Sequence, residues 1–285
     1  MRRLWPVVLL PLLTACGGVA QNTELTRLGM PAPATEEAPI ILRLWQGSWL
    51  VAVVVALIVW GALAMALLLY RRRRTTEVPE QTRYNIPIEV LYTIVPLVVV
   101  IGLFAFTFRD QNKLTALSEE PDQIVNVIGF RWGWTFNYVT EGTFTTGTPG
   151  DRPTLYLPVD ERVRFELTSP DVIHSFWIPA FLYKMDVIPG RVNMFEVTPN
   201  VIGTYPGRCA ELCGVDHARM LFNVEVLSQA DFAEQMAQLK AQGNVGLLDS
   251  ERVITDGNPD CTVKPGTSGC EVARNEAVTA EEDPA

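Results

Sequence analysis

Hydrophobic residues fall into distinct regimes along the chain. Two long runs carry no charge: residues 49–70, a stretch of 22, and residues 90–108, with Pro96 inside the second. As a helix the first is about 33 Å long, enough to cross the hydrocarbon core of a bilayer. Trp49, Trp60 and Tyr70 supply aromatic anchors of the kind found at membrane interfaces. From residue 124 the runs shorten. Those at 124–130, 155–159, 163–168, 192–197 and 221–226 are rich in Val, Ile, Leu and Phe and are punctuated by Pro, Gly, Asn and Asp. That pattern predicts strands of an antiparallel sandwich or small barrel. In FRWGWTFNY, the rings Phe130, Trp132, Trp134, Phe136 and Tyr138 alternate with non-aromatic residues. On one strand the alternation places all five on one face, mostly as core, with an exposed aromatic patch as a further reading. Residues 229–242 space Phe232, Met236 and Leu239 three to four apart, which predicts an amphipathic helix. Residues 243–285 are rich in Gly, Asp and Glu, poor in large apolar residues, and read as a mostly disordered tail.

The chain opens with a shorter apolar stretch. Met1-Arg2-Arg3, an apolar run broken by Pro6 and Pro11, and Thr14-Ala15 describe an export signal over residues 1–15. LTAC resembles the lipobox of bacterial lipoproteins, with Cys16 as the lipidated first residue; a cleaved signal with an incidental cysteine is the alternative. Residues 16–45 read as a flexible tether, residues 46–113 as a transmembrane hairpin and residues 114–242 as the β domain. Arg71-Arg72-Arg73-Arg74 separates the two long apolar runs, and a buried soluble hairpin has little use for it. The positive-inside rule places this cluster in the cytoplasm and both termini outside. Glu89 stands at the start of the second run. A carboxylate there suits the helix dipole, and an ionisable group at a membrane boundary also suits a proton route.

Charge supports the same division. The formal net charge is −9, and residues 115–285 hold 12 Lys+Arg against 25 Asp+Glu, a balance of −13. An acidic external domain argues against a nucleic-acid ligand and is compatible with a basic protein partner. Cysteine and histidine are scarce, at five and two among 285 residues. Cys261 and Cys270 lie in the tail, where an oxidising compartment would join them in a disulfide. Cys209, Cys213, His217 and Met220 cluster in RCAELCGVDHARM, and His174 lies 35 residues before Cys209, in what reads as a loop between two apolar runs. A Cys209–Cys213 disulfide is one reading, but the presence of one of only two histidines, His217, within the cysteine cluster favours a metal. Two thiolates, two imidazoles and a thioether form a soft donor set suited to copper; zinc accepts Cys₂His₂ as well, but gives Met220 no role.

The segment CAELCGVDHARM closely resembles the dinuclear copper (CuA) motif C-x-E-x-C-G-x-x-H-x-x-M of the cytochrome c oxidase subunit II family. DVIHSFWIP and MDVIPGR are similar to that family too, and the resemblance covers roughly residues 46–238. It implies a two-helix transmembrane hairpin followed by an all-β, cupredoxin-like Greek-key barrel outside the bacterial plasma membrane. It implies that Cys209 and Cys213 bridge two copper ions, that His174 and His217 ligate one each, and that Met220 is a weak axial ligand. Glu211 would give its backbone carbonyl to copper and its side chain to a magnesium ion at the junction with subunit I. Trp132 would admit electrons from a c-type cytochrome, Asp171 would be an acidic docking position, and Glu89 would stand at the mouth of a proton-uptake path. The implied protein is an electron-transfer subunit of a proton-translocating oxidase, working with subunits I and III and reducing no oxygen alone.

Other readings differ in testable ways. A quinol-oxidase subunit II would lack the copper ligands, all of which are present here. Nitrous-oxide reductase shares the copper motif but needs a large catalytic domain not found in these 285 residues. A membrane-tethered zinc or copper delivery protein would bind metal without rapid reduction by cytochrome c.

Overall fold

The computed structural model describes residues 23–71 and 81–249. The predicted export signal, Cys16, and the Cys261 and Cys270 pair lie outside the described residues. Two long helices come first, α1 (Ala38–Leu69) and α2 (Ile86–Leu114). Both are apolar and long enough to span a bilayer, and their spanning windows are unburied by protein. They run beyond the uncharged stretches at 49–70 and 90–108 because a helix extends until its caps, not until its apolar composition ends. In α1, Thr35 Oγ1 accepts from Ala38 N at 3.1 Å and Pro39 sits in the first turn, where a missing N–H costs nothing. In α2, Asn85 caps Ile88 N at 3.4 Å while the Glu89 carboxylate accepts from Asn85 N at 2.9 Å. Glu89 therefore works as a cap, the helix-start reading of that residue.

Ten strands follow: β1 (Gln123–Phe130), β2 (Gly133–Tyr138), β3 (Thr143–Gly147), β4 (Thr154–Pro158), β5 (Val163–Thr168), β6 (His174–Ile178), β7 (Tyr183–Val187), β8 (Asn193–Val197), β9 (Gly203–Cys209) and β10 (Leu221–Leu227). They form two five-stranded sheets, in the orders β3-β2-β1-β5-β8 and β4-β10-β9-β6-β7. Most pairings are antiparallel, but β1–β5 and β10–β4 are parallel, so each sheet is mixed. Between the sheets lies an aromatic core in which Phe176 stacks on Phe222 at 5.1 Å and Trp134 meets both edge-on. The helix α3 (Gln229–Ala241) closes one end, burying Phe232, Met236 and Leu239 as their spacing predicts. Ser228 caps it by accepting from Asp231 N.

Three expectations are corrected. The aromatic run is not one strand. Phe130 ends β1, Arg131 and Trp132 form a turn, and β2 begins at Gly133. Only Trp134, Phe136 and Tyr138 share the core face; Phe130 packs in a separate cluster with Ile128 and Leu248. Gly133 explains the break, since a Cβ there would come 2.3 Å from the Gly147 carbonyl oxygen. Second, the part of the expected tether from residue 34 onward is docked. Ala34 N donates to Ala180 O, Asn200 N to Ala34 O and Glu36 N to Thr198 O, each at 3.0 Å. Third, the first residues of the expected disordered tail are held on the barrel: Asn137 exchanges hydrogen bonds with Leu248 in both directions, at 2.8 and 2.9 Å.

Candidate metal centre

One sheet, through β6, β9 and β10, brings the cysteine and histidine residues among those described to one end of the barrel. His174 is the first residue of β6, not a loop residue, and Cys209 is the last of β9; Phe176 and Cys209 are antiparallel partners. After β9 the chain makes an irregular loop through Glu211 and Cys213, a single 3₁₀ turn at His217–Arg219, and then enters β10. Cys209 N donates to Met220 O at 3.0 Å, closing the loop at its base and fixing both ends of the motif.

The donor atoms form an elongated set. Cys209 Sγ and Cys213 Sγ are 3.9 Å apart, nearly twice a disulfide bond of about 2.05 Å, and both cysteines are free and buried. The Glu211 carbonyl oxygen lies 3.2 Å from Cys209 Sγ, and His174 Nδ1 lies 3.9 Å from it. On the other side, His217 Nδ1 is 3.6 Å and Met220 Sδ 3.7 Å from Cys213 Sγ. His174, Cys209 and Cys213 keep their donor atoms mutually within 4.8 Å, and His217 joins them through Cys213. The five candidate ligands of the motif and the upstream His174 are therefore brought together. Sulfur, imidazole and one carbonyl suit a soft metal, and the paired sulfurs at the middle of the set suit two ions better than one tetrahedral ion.

The electrostatics prepare the thiols for a cation. The Cys213 thiol hydrogen-bonds to Cys209 and stabilises a thiolate there, with further help from His174 and the Ser175 backbone, and Cys209 is drawn from 9.0 to about 3 against the opposing effect of burial. The same neighbour, with burial, pushes the Cys213 thiol upward. Cys209 and Cys213 would hold a metal ion as thiolates.

Asp171, expected from the resemblance to be a docking position, has a side chain that is largely buried. Its side chain is 8% exposed, and Oδ1 lies 2.9 Å from Nε2 of the fully buried His174. It also accepts from Val172 N at 2.6 Å and Arg131 N at 2.7 Å, and it pairs with Arg131 Nε at 3.4 Å. Burial disfavours the Asp171 charge, yet these bonds, His174 first, hold its carboxyl below the ordinary value. Burial likewise disfavours charge on His174, but Asp171 and then Cys209 raise its pKa. A carboxylate on one ring nitrogen fixes the imidazole so that the other faces the metal. Composition hid this role; an acid three residues before a histidine, just after Ser169-Pro170, was the available signal.

Trp132 packs against the loop. Its indole N–H donates to the Cys213 carbonyl at 3.3 Å, and its half-buried ring fits against Gly214 so closely that a Cβ there would meet Cζ2 at 2.9 Å. Gly214 has φ +128°, in the region that favours glycine. The Glu211 and Leu212 side chains are exposed beside it.

Residues 150–227 match the family described as cytochrome C oxidase subunit II, periplasmic domain, and residues 23–109 match its transmembrane domain. The chain is 48% identical over 278 residues to the probable cytochrome c oxidase subunit 2 of Streptomyces avermitilis, covering 84% of this chain and 86% of the relative. The chain belongs to the cytochrome c oxidase subunit II family. It is also 30% identical to the cytochrome c oxidase subunit 2 of Mycobacterium tuberculosis, over 76% of each chain. Among solved structures, the periplasmic domain of subunit II of cytochrome oxidase from Bradyrhizobium japonicum is 30% identical, with a TM-score of 0.41, covering 44% of this chain and 99% of that one. As a family member the chain is a subunit of cytochrome c oxidase, with two helices long and apolar enough to cross a membrane and a β domain that matches the family's periplasmic domain. Within the residues that match the periplasmic domain, His174, Cys209 and Cys213 form a cluster that could hold a metal ion.

Proposed function

We propose that the chain accepts electrons from a c-type cytochrome at a dinuclear copper centre and hands them to haem in subunit I, where oxygen is reduced and protons are pumped. The observation that carries this reading is the elongated set of six donors around two free sulfurs 3.9 Å apart. Bound there, copper supplies a one-electron couple. Cys209 and Cys213 would bridge, His174 and His217 would ligate one ion each, and Met220 and the Glu211 carbonyl would complete the set.

The surrounding residues have matching tasks. Asp171 holds the His174 ring, and the core rings behind it hold the ligand strands rigid. Trp132 offers an incoming donor an aromatic surface already bonded to the Cys213 peptide. The exposed Glu211 carboxylate would bind magnesium where subunit I meets this domain. Glu89, beyond its capping bond, would stand at the entrance of a proton-uptake path on the cytoplasmic side. The domain and both termini would lie outside the plasma membrane, with subunit III as a further partner.

Metal analysis and the absorption spectrum of the full-length protein test the reading. Two coppers per chain with a visible charge-transfer band are expected. His217→Asn should abolish that band while both helices remain inserted. One zinc and no colour, or a Cys209–Cys213 disulfide in protein from its native membrane, would reject the assignment.

A further inference from the structure

Two separate links tie the membrane helices to the barrel, and both end on residues 196–200. From α1, the strap at residues 34–37 pairs with the chain after β8: Thr35 bridges Pro199, and Thr198 N donates to Glu37 Oε2 at 3.0 Å. From α2, the chain reaches Ser118, four residues beyond the end of the helix at Leu114. Ser118 N donates to both Glu196 oxygens, at 3.1 and 3.0 Å, and Ser118 Oγ donates to Oε1 at 3.0 Å. Arg164 completes the link. It is the cross-strand partner of Glu196, pairs with it at 2.7 Å and also donates to the Ser118 carbonyl. The two side chains are only 16% and 6% exposed.

A buried ion pair of this kind is stiff. Each charge depends on its partner for the solvation it has lost, so displacing Ser118 or either strand leaves a buried polar group unsatisfied. The strand that carries Arg164 also leads to the metal centre. β5 continues to Ser169, whose hydroxyl donates to the Asp171 carboxylate that orients His174. One strand thus connects the membrane link to a metal ligand.

We propose that the Arg164–Glu196–Ser118 clamp, with the strap contact at Thr198, sets the height and tilt of the metal centre above the membrane helices. Arg164 and Glu196 are then positioning residues for the onward electron step into subunit I. This rests on the electron-carrier reading above. Electron entry depends on Trp132 and the loop, and metal uptake depends on the local donors, so neither should respond to the clamp. Electron exit should respond, because it crosses the gap that the clamp holds.

The test uses the whole oxidase complex with three variants: Glu196→Gln, Glu196→Asp, and the pair Arg164→Met with Glu196→Leu. The apolar pair matters because replacing a buried ion pair by well-packed apolar residues commonly leaves stability intact while removing the bonds to Ser118. In that double variant the copper absorption and the rate of reduction by the donor should match wild type. Haem reduction after rapid electron injection should slow several-fold, with Glu196→Asp lying between it and wild type. A double variant whose haem reduction is as fast as wild type overturns the proposal. So does one that loses copper absorption together with onward transfer, since that outcome reports folding alone. A wild-type complex that binds no copper overturns the carrier reading itself, and this proposal with it, before any variant is made.

Discussion

Replacing Asp171 by Asn removes one charge and almost no volume from a site where His174 is fully buried and the carboxylate only 8% exposed. The bond at stake is the 2.9 Å contact between Asp171 Oδ1 and His174 Nε2. Hydrogen bonds to charged groups contribute about 1.5–3 kcal/mol, and solvent offers little replacement at this depth. Outer-shell partners of metal-bound histidines are independently worth about 10- to 100-fold in metal affinity, or about 1.4–2.7 kcal/mol. The two figures agree. The amide keeps a neutral acceptor for His174 but turns a donor toward the main-chain N–H of Arg131, now served by Oδ2 at 2.7 Å. Asp171→Asn should therefore weaken copper binding by about 10- to 100-fold, measured by chelator competition against the copper absorption of the detergent-solubilised full chain. The thermal stability of copper-free protein, measured in parallel, separates a ligand-orienting effect from general damage. Copper affinity equal to wild type would refute the orienting role.

Gly214→Ala should push Trp132 off the loop, because the added Cβ would lie 2.9 Å from its ring on a backbone with φ +128°. Stopped-flow reduction by cytochrome c should slow while the copper spectrum stays close to wild type. An unchanged rate would remove Trp132 from the entry step. The Glu196 carboxyl offers a pH test. Burial works against its charge, but Ser118 and Arg164 hold its pKa below 4.5. A depressed carboxylate contributes stability above its unfolded pKa and loses it as pH falls through the folded value. Protease resistance of the segment between α2 and β1 should accordingly fall below about pH 4.5 in wild type. In Glu196→Gln it should be low already at neutral pH and change little with acid.

Much of this architecture could be read from the chain, and the exceptions have physical causes. The strand at Val163–Thr168 was predicted with the observed bounds because its buried and half-buried positions alternate without a break. The helix at Gln229–Ala241 announced itself through the spacing of Phe232, Met236 and Leu239. The aromatic run misled because alternation persists across a two-residue reversal that lacks the usual Asn-Gly or Asp-Gly signal. His174 looked like a loop residue because Ser169-Pro170-Asp171 precedes it, yet pairing with Val187 of β7 makes it a strand residue. The candidate cysteine and histidine ligands were legible because those residues are scarce in the chain, Met220 gained its weight from their company, and Glu211 came only from the family resemblance. The Asp171 role was not, since exposure and burial of an acid look alike in sequence. The docking of residues 34–37 was invisible for another reason. Its hydrogen bonds are largely made by the main chain, which leaves no mark on side-chain choice.

That docking also dictates an order of assembly. Glu37 and the amide it receives from Thr198 are 161 positions apart, with both bilayer crossings between them. During synthesis, the lead-in to the first crossing must wait for most of the barrel to be delivered before it can be seated. Until then the newly inserted hairpin and the growing barrel share only the covalent chain and the link at Ser118. Seating the lead-in is thus a late suture, and cofactor loading attempted before it would act on a domain tied to its anchor by one link instead of two.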